Sequence, residues 1–251
     1  MSAMKPIRSK TLYNTRKPPT NYSNESLIKV YCRIRPTDLE SNCIKILNNE
    51  TIETYPPDSS MFKKSNVGKS MHYKFTNIFD EFTQQQTIFD EISLDLIKSA
   101  LNGENALLFS YGVTGSGKTH SMIGSKNDPG IIVRSLDVIF NSINPSLINI
   151  KYRLKPDKMN GYLILDDDEV LSEEQRNYGS IKKRAETPKN KHKHDNNSIE
   201  IEDRHVKYSF FVSYFEIYNN SVFDLLHQSD NLTYSKTSLK SLREDKFGNM
   251  Y

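Results

Sequence analysis

Eight consecutive residues, Gly112-Val113-Thr114-Gly115-Ser116-Gly117-Lys118-Thr119, fit the pattern G-x-x-x-x-G-K-[ST] in full. Glycines let such a loop turn tightly, so that its backbone N–H groups point inward and cradle phosphate oxygens. Lys118 can reach the β- and γ-phosphates of a nucleotide, and the Thr119 hydroxyl can complete a Mg²⁺ shell. A helix beginning near Gly117 would add its positive dipole end to the same place. The pattern arises by accident in about one chain of this length per hundred or fewer, given average residue usage. The chemistry it points to is nucleotide binding through the phosphates.

That loop has to be held by a strand before it and a helix after it, and the flanking residues have both patterns. Ala106-Leu107-Leu108-Phe109-Ser110-Tyr111 is a continuous apolar run, which predicts a strand buried on both faces. After the loop a helix is expected, interrupted near Gly124 to Pro129 and resuming through Ile131-Ile132, Leu136, Ile139-Phe140 and Ile143. Upstream, Ile88, Phe89, Ile92, Leu96, Ile97 and Ala100-Leu101 recur at three- and four-residue steps, an amphipathic helix over 84–101 that Asn102-Gly103 stops. Strands are predicted at Leu27 to Ile34, closed by Pro36, and at Met71 to Phe75. Cys43 to Leu47 and Thr51 to Tyr55 form a hairpin about Asn48-Asn49. Downstream, Tyr208 to Tyr218 reads as a long aromatic-rich strand whose aromatics serve the sheet core, Val222 to Leu226 as a helical turn, and Leu239 to Glu244 as a last strand. Strand, glycine loop and helix in this order predict an α/β class with a phosphate-binding sheet.

Two stretches fall outside this pattern. Residues 1–26 are polar and basic and predict a flexible tail. Residues 155–207 run from acidic (Asp166 to Glu169, Glu173-Glu174) to basic (Lys182-Lys183-Arg184, Lys189 to Lys193), and most of this insert is expected to be disordered. It dilutes the chain to 36% hydrophobic residues and a mean hydropathy of −0.65. The basic stretch could serve as a nuclear-localisation patch or a contact for an acidic polymer surface, with a solvated charge run as the plain alternative. Thr187-Pro188 within it is a minimal proline-directed phosphorylation site. The formal charge of +3 makes no case for a nucleic-acid partner. No apolar run reaches the roughly 20 residues of a membrane span. Cys32 and Cys43 lack metal-ligand spacing and read as buried, reduced thiols of an intracellular protein.

The residues around the loop resemble a kinesin motor domain. Arg33-Ile34-Arg35-Pro36 matches the family's R-x-R-P segment, and Phe109-Ser110-Tyr111 before the loop with Thr119-His120-Ser121-Met122 after it match its form of the phosphate motif. Gly130-Ile131-Ile132-Val133-Arg134 resembles G-I-I-P-R with valine in place of proline. Val212 to Asn220 followed by Asp224-Leu225-Leu226 is similar to a further family segment. The resemblance covers nearly all of 27–251 and implies an NTPase of the kinesin type, a mixed β-sheet flanked by helices. It implies ATP and Mg²⁺ as cofactors, and an adenine site made by Arg33, Arg35 and Pro36 with His120 packing nearby. Kinesins often carry an aromatic where Glu104 stands, so no aromatic lid is expected.

Within the family the long insert, Val113, Asp137, Phe140 to Ile143, Leu242 to Lys246 and Asn249 to Tyr251 resemble the centralspindlin class of mitotic kinesins. That implies microtubules (tubulin) as partner and, in the intact protein, a homodimer formed through a stalk and a Rho GTPase-activating partner. It also implies a cytoplasmic, cytoskeletal location, at the spindle midzone in mitosis and in the nucleus in interphase. The catalytic switch I and switch II segments, which sense the γ-phosphate and position water, are not identified in this chain. The expectation is therefore a fragment or incomplete gene model of a longer motor, inactive alone. Two other classes compete: a non-catalytic motor-fold scaffold that binds nucleotide or microtubules, and a P-loop kinase, for which the insert is a poor lid.

Overall fold

The computed structural model describes residues 28–38, 43–56, 70–149, 151–156, 162–175, 193–201, 206–219, 221–226 and 239–240. The expected tail at 1–26, the Thr187-Pro188 site, nearly all of the basic stretch and the segment from Leu242 to Tyr251 lie outside them. The chain divides into two compact units. One contains 19–143 with 189–202, and the other contains 1–18, 144–188 and 203–251.

The first unit carries the glycine loop. Strand β1 (Tyr31–Arg33) pairs in parallel with β5 (Asn77–Phe79), with Cys32 opposite Ile78. Hydrogen bonds Thr76 N–H to Val30 O (2.7 Å) and Ile34 N–H to Phe79 O (2.8 Å) extend the pairing at both ends. Tyr31 stacks on Phe79 with ring centroids 6.0 Å apart. The expected hairpin is present as β2 (Ile44–Asn48) and β3 (Thr51–Thr54), and β4 (Met71–Lys74) adds to it antiparallel. Its turn is closed by the Asn48 carboxamide oxygen, which accepts the Glu50 N–H at 2.9 Å, a local bond that Asn side chains supply well.

Helix α1 (Gln85–Leu101) runs as its apolar spacing requires, burying Ile88, Phe89, Ile97 and Leu101. It packs on α3 (Ile131–Ser142), whose inner face buries Ile131 and Val138. Between them α2 (Lys118–Met122) is five residues long. The break expected between Gly124 and Pro129 is a tight loop, in which Gly130 N–H bonds back to Ile123 O at 2.8 Å. Most of the buried apolar residues of this unit lie along the seam between these two helices, and Ile52 and Phe79 add to them from the strands.

In the second unit β6 (Leu154–Pro156) and β7 (Tyr162–Ile164) form a hairpin, followed by a helix over 167–175, here α4. The buried apolar residues of this unit, among those described, are Leu165, Val170 and Val222. Strands β8 (Phe215–Tyr218), β9 (Ser221–Asp224) and β10 (Leu239–Lys240) make an antiparallel meander.

Several sequence expectations are corrected. Residues 106–111 form no strand, and Leu107, Phe109 and Tyr111 are 81%, 72% and 95% exposed. An apolar run sets a preference for burial but cannot supply the neighbouring strand that a ladder needs. The strand expected over 208–218 shrinks to β8, and its aromatics Phe211, Tyr214, Phe215 and Tyr218 are exposed rather than core. The helical turn expected at Val222 is strand β9, because its backbone pairs with β8 and tertiary pairing overrides weak local preference. Within 155–207, most of which was expected to be disordered, the described residues include the end of β6, β7, α4 and a segment at 193–201 without helix or strand. Ion pairs Arg153–Asp167 (2.6 Å) and Lys155 with Glu173 tie β6 to α4, so the acidic run has basic partners next to it in space. Both cysteines are free but half-buried rather than buried. Burial pushes the Cys32 thiol above its ordinary value.

Phe89 is fully buried, so Phe89→Ala is expected to lower the unfolding free energy by about 3–5 kcal/mol. Urea denaturation of the two proteins measures this, and an unchanged midpoint would contradict the helix-seam core.

Candidate nucleotide site

The glycine loop leaves residue 111 and closes into α2. Gly115 and Gly117 have φ of +80° and +99°, values that side chains with a Cβ rarely adopt. The sequence folds this way locally because glycine stands at both positions. Ser116 N–H bonds to Val113 O at 3.1 Å, which tightens the turn between them. Amides in the first turn of a helix have no acceptor within the helix, so the stretch from Gly117 to Thr119 presents donors. With only five residues in α2, the dipole contribution expected from a long helix is small, and the loop amides carry the site.

Lys118 folds back across the loop. Its ammonium donates to Gly112 O at 2.7 Å and Val113 O at 2.8 Å. The side chain is thereby held over the ring of backbone that the motif predicts for phosphates. Val113 and Thr114 lie exposed on the outer part of the loop, and Ser116 is half-buried. Thr119 is exposed at the start of α2, beside Lys118.

Two arginines from the end of β1 reach the loop and its helix in different ways. The Arg33 guanidinium donates from one nitrogen to Gln85 Oε1 at 2.6 Å and to Ser121 Oγ at 2.9 Å. Burial lowers its pKa from the ordinary value, and the Asp128 carboxylate acts against that. Arg35 is exposed and donates to the carbonyl of Gly115. Pro36 follows it on the surface. The His120 side chain is exposed, while its backbone carbonyl accepts the Gln85 Nε2–H at 2.6 Å. The structure thus brings Arg35 onto the loop and Arg33 onto the helix behind it, with His120 at the loop's exit.

Gln85 and Ser121 are not among the site residues that the motifs assign, although Ser121 lies in the segment that follows the loop. Gln85 is 2% exposed and joins β1, α1 and α2 through its two carboxamide atoms. The run Gln84-Gln85-Gln86 at a helix start was the available signal, since polar residues there bury only when they find partners.

A phosphate group fits this cradle: left-handed glycines, first-turn amides and a cation lie within eight residues. Magnesium fits less directly. Among the described residues no group of three His, Cys, Asp or Glu side chains could hold a metal ion. An ion here would take the Thr119 hydroxyl together with oxygens of the nucleotide itself.

The sequence profile described as Kinesin motor domain matches residues 33–251. The chain belongs to the kinesin motor domain family. Among curated kinesins it is 34% identical to mouse Kinesin-like protein KIF23 over 99% of this chain and 27% of that protein. It is 29% identical to human Kinesin-like protein KIF20A over 98% of this chain and 33% of that protein. The chain therefore spans about a third or less of the length of these kinesins. A solved structure described as kinesin 6 superposes with a TM-score of 0.70 at 28% identity, covering 89% of this chain and 54% of that one. A KIF14 dimer in a two-heads-bound state, with AMP-PNP and in complex with a microtubule, shares the fold at a TM-score of 0.55 and 20% identity. These findings agree with the kinesin reading of the sequence and with its likeness to the centralspindlin motor.

Arg33 and Arg35 differ in what they hold, and stability should separate them. Arg33→Met strips the buried Gln85 carboxamide of its donor and is expected to cost about 1–3 kcal/mol of unfolding free energy. Arg35→Met, at an exposed position, is expected to cost under about 0.5 kcal/mol. Equal losses in parallel denaturation curves would contradict the assignment.

Proposed function

We propose that this chain is the ATP-binding part of a microtubule motor that couples ATP hydrolysis to movement, serving central-spindle assembly and cytokinesis. The observation that carries this reading is the glycine loop, with Lys118 held across it, in a chain of kinesin sequence and fold. Gly112 to Thr119 hold the phosphates. Lys118 gives up the carbonyls of Gly112 and Val113 and turns its ammonium to the phosphate oxygens. Thr119 would hold magnesium, which would supply neutralisation of the phosphate charge. Arg35, Pro36 and His120 border the adenine, and Arg33 acts indirectly by holding α2 through Ser121.

Similarity to KIF23 and KIF20A supports the cytokinetic class. The finer partners follow from that class: tubulin polymers as track, self-association through a stalk, and a Rho GTPase-activating partner. The same holds for location at the cytoskeleton and spindle midzone, and in the nucleus in interphase.

Isothermal titration calorimetry with ATP and magnesium tests the core of this proposal. Lys118→Ala is expected to weaken ATP binding about 10- to 100-fold, the loss of one or more charge-assisted hydrogen bonds, with the melting temperature unchanged. Equal affinity for the two proteins would remove the phosphate assignment. Sedimentation with polymerised tubulin, in which the chain stays in the supernatant at every nucleotide state, would count against the microtubule partner.

A further inference from the structure

A second polar cluster lies on the other side of the first turn of α1. Its centre is Asp195, in the segment expected from sequence to be without structure, and it is 4% exposed. One carboxylate oxygen accepts from the Arg134 guanidinium at 2.9 Å and from Gln86 Nε2–H at 3.0 Å. The other oxygen accepts the Asn197 N–H at 2.9 Å. The Asp195 backbone is fixed as well: its N–H donates to Asp137 at 3.0 Å, and its carbonyl accepts from Asn141 Nδ2–H at 2.8 Å. Arg134 is also 4% exposed, and it donates in addition to Pro129 O (2.8 Å), to Asp128 (3.1 Å) and to Gln86 Oε1. A buried arginine and a buried carboxylate, 61 residues apart in sequence, are each tolerable only because the other is there.

This cluster meets the nucleotide site at adjacent residues. Gln86 belongs to the Asp195–Arg134 cluster, while Gln85, the next residue back, holds Arg33 and the His120 carbonyl. Neighbouring helix positions point about 100° apart, so one helical turn faces both groups. Asn197 Nδ2–H and Gln86 Nε2–H both donate to Asp90 one turn further along α1, at 3.0 and 2.9 Å. On the far side, Ile199 N–H donates to Ser142 Oγ at 2.8 Å, at the end of α3.

We infer that the 193–199 segment is a clamp that sets the first turn of α1, and that Asp195 is a positioning residue for the base side of the nucleotide site. The inference rests on the ATP-binding reading above. Asp195 makes no hydrogen bond to the phosphate loop. It acts through Gln86 on the helix turn whose other side chain, Gln85, places Arg33 and the exit of the loop. Loosening the clamp therefore moves the groups beside the base and leaves Gly112 to Thr119 intact.

Calorimetric titration of the full chain with ATP and, separately, with tripolyphosphate distinguishes this from a structural role. Asp195→Asn keeps the shape and removes the charge. It is expected to weaken ATP binding about 10-fold, within the usual range of coupling between sites, and to leave tripolyphosphate binding within about 2-fold. Asn141→Ala, which removes only the hold on the backbone of the segment, is expected to move ATP binding the same way by about 3-fold, and it keeps the test open if Asp195→Asn does not fold. No change in ATP affinity in the folded variants, or equal losses for ATP and tripolyphosphate, would overturn the clamp while leaving the nucleotide reading in place. Failure of the unsubstituted chain to bind ATP would overturn that reading, and the clamp with it.

Discussion

The carboxamide of Gln85 is the point through which the nucleotide-binding unit is organised. It accepts from an arginine at the end of β1 and donates to a carbonyl in α2, while its own backbone begins α1. A buried amide must satisfy a donor and an acceptor at once, so it can be satisfied only when three elements stand in one arrangement. Hydrophobic packing between α1 and α3 supplies most of the driving force, but packing is non-directional. The polar contact fixes where the glycine loop sits against the strand that brings Arg33 and Arg35 to it.

The elements that carry chemistry were the most legible in the sequence. The loop from Gly112 to Thr119 is specified by residue type, because left-handed backbone at Gly115 and Gly117 asks for glycine whatever the surroundings. Helix α1 was equally clear, since its apolar period is set by contacts along one face. The hairpin about Asn48-Asn49 follows from turn chemistry. Each of these is a local rule, and local rules can be read from a single chain.

What the sequence could not show is pairing between distant residues. Leu107, Phe109 and Tyr111 have the composition of a buried strand and are exposed, and the aromatics of β8 likewise. A strand depends on its neighbours, and composition says nothing about whether they are present. The reverse failure is Asp195, a charged residue in a polar segment that is nevertheless buried. No periodic signal could have found it, because its burial depends on an arginine far away in the chain. Polar segments are read as solvated by default, and only a specific partner changes that.

The way Lys118 lies across its own loop has a consequence for the energetics of ligand capture. Its ammonium has three N–H donors and spends two of them on carbonyls, so one is left for a further acceptor. The two carbonyls are uncharged, so under the proposed reading a contact exchanged for an anionic phosphate oxygen still gains the charge–charge attraction. The lysine also has little rotamer freedom left to lose when the ligand arrives. The loop's own carbonyls thus serve as a holding position, from which the ammonium needs only a small turn to meet an anion.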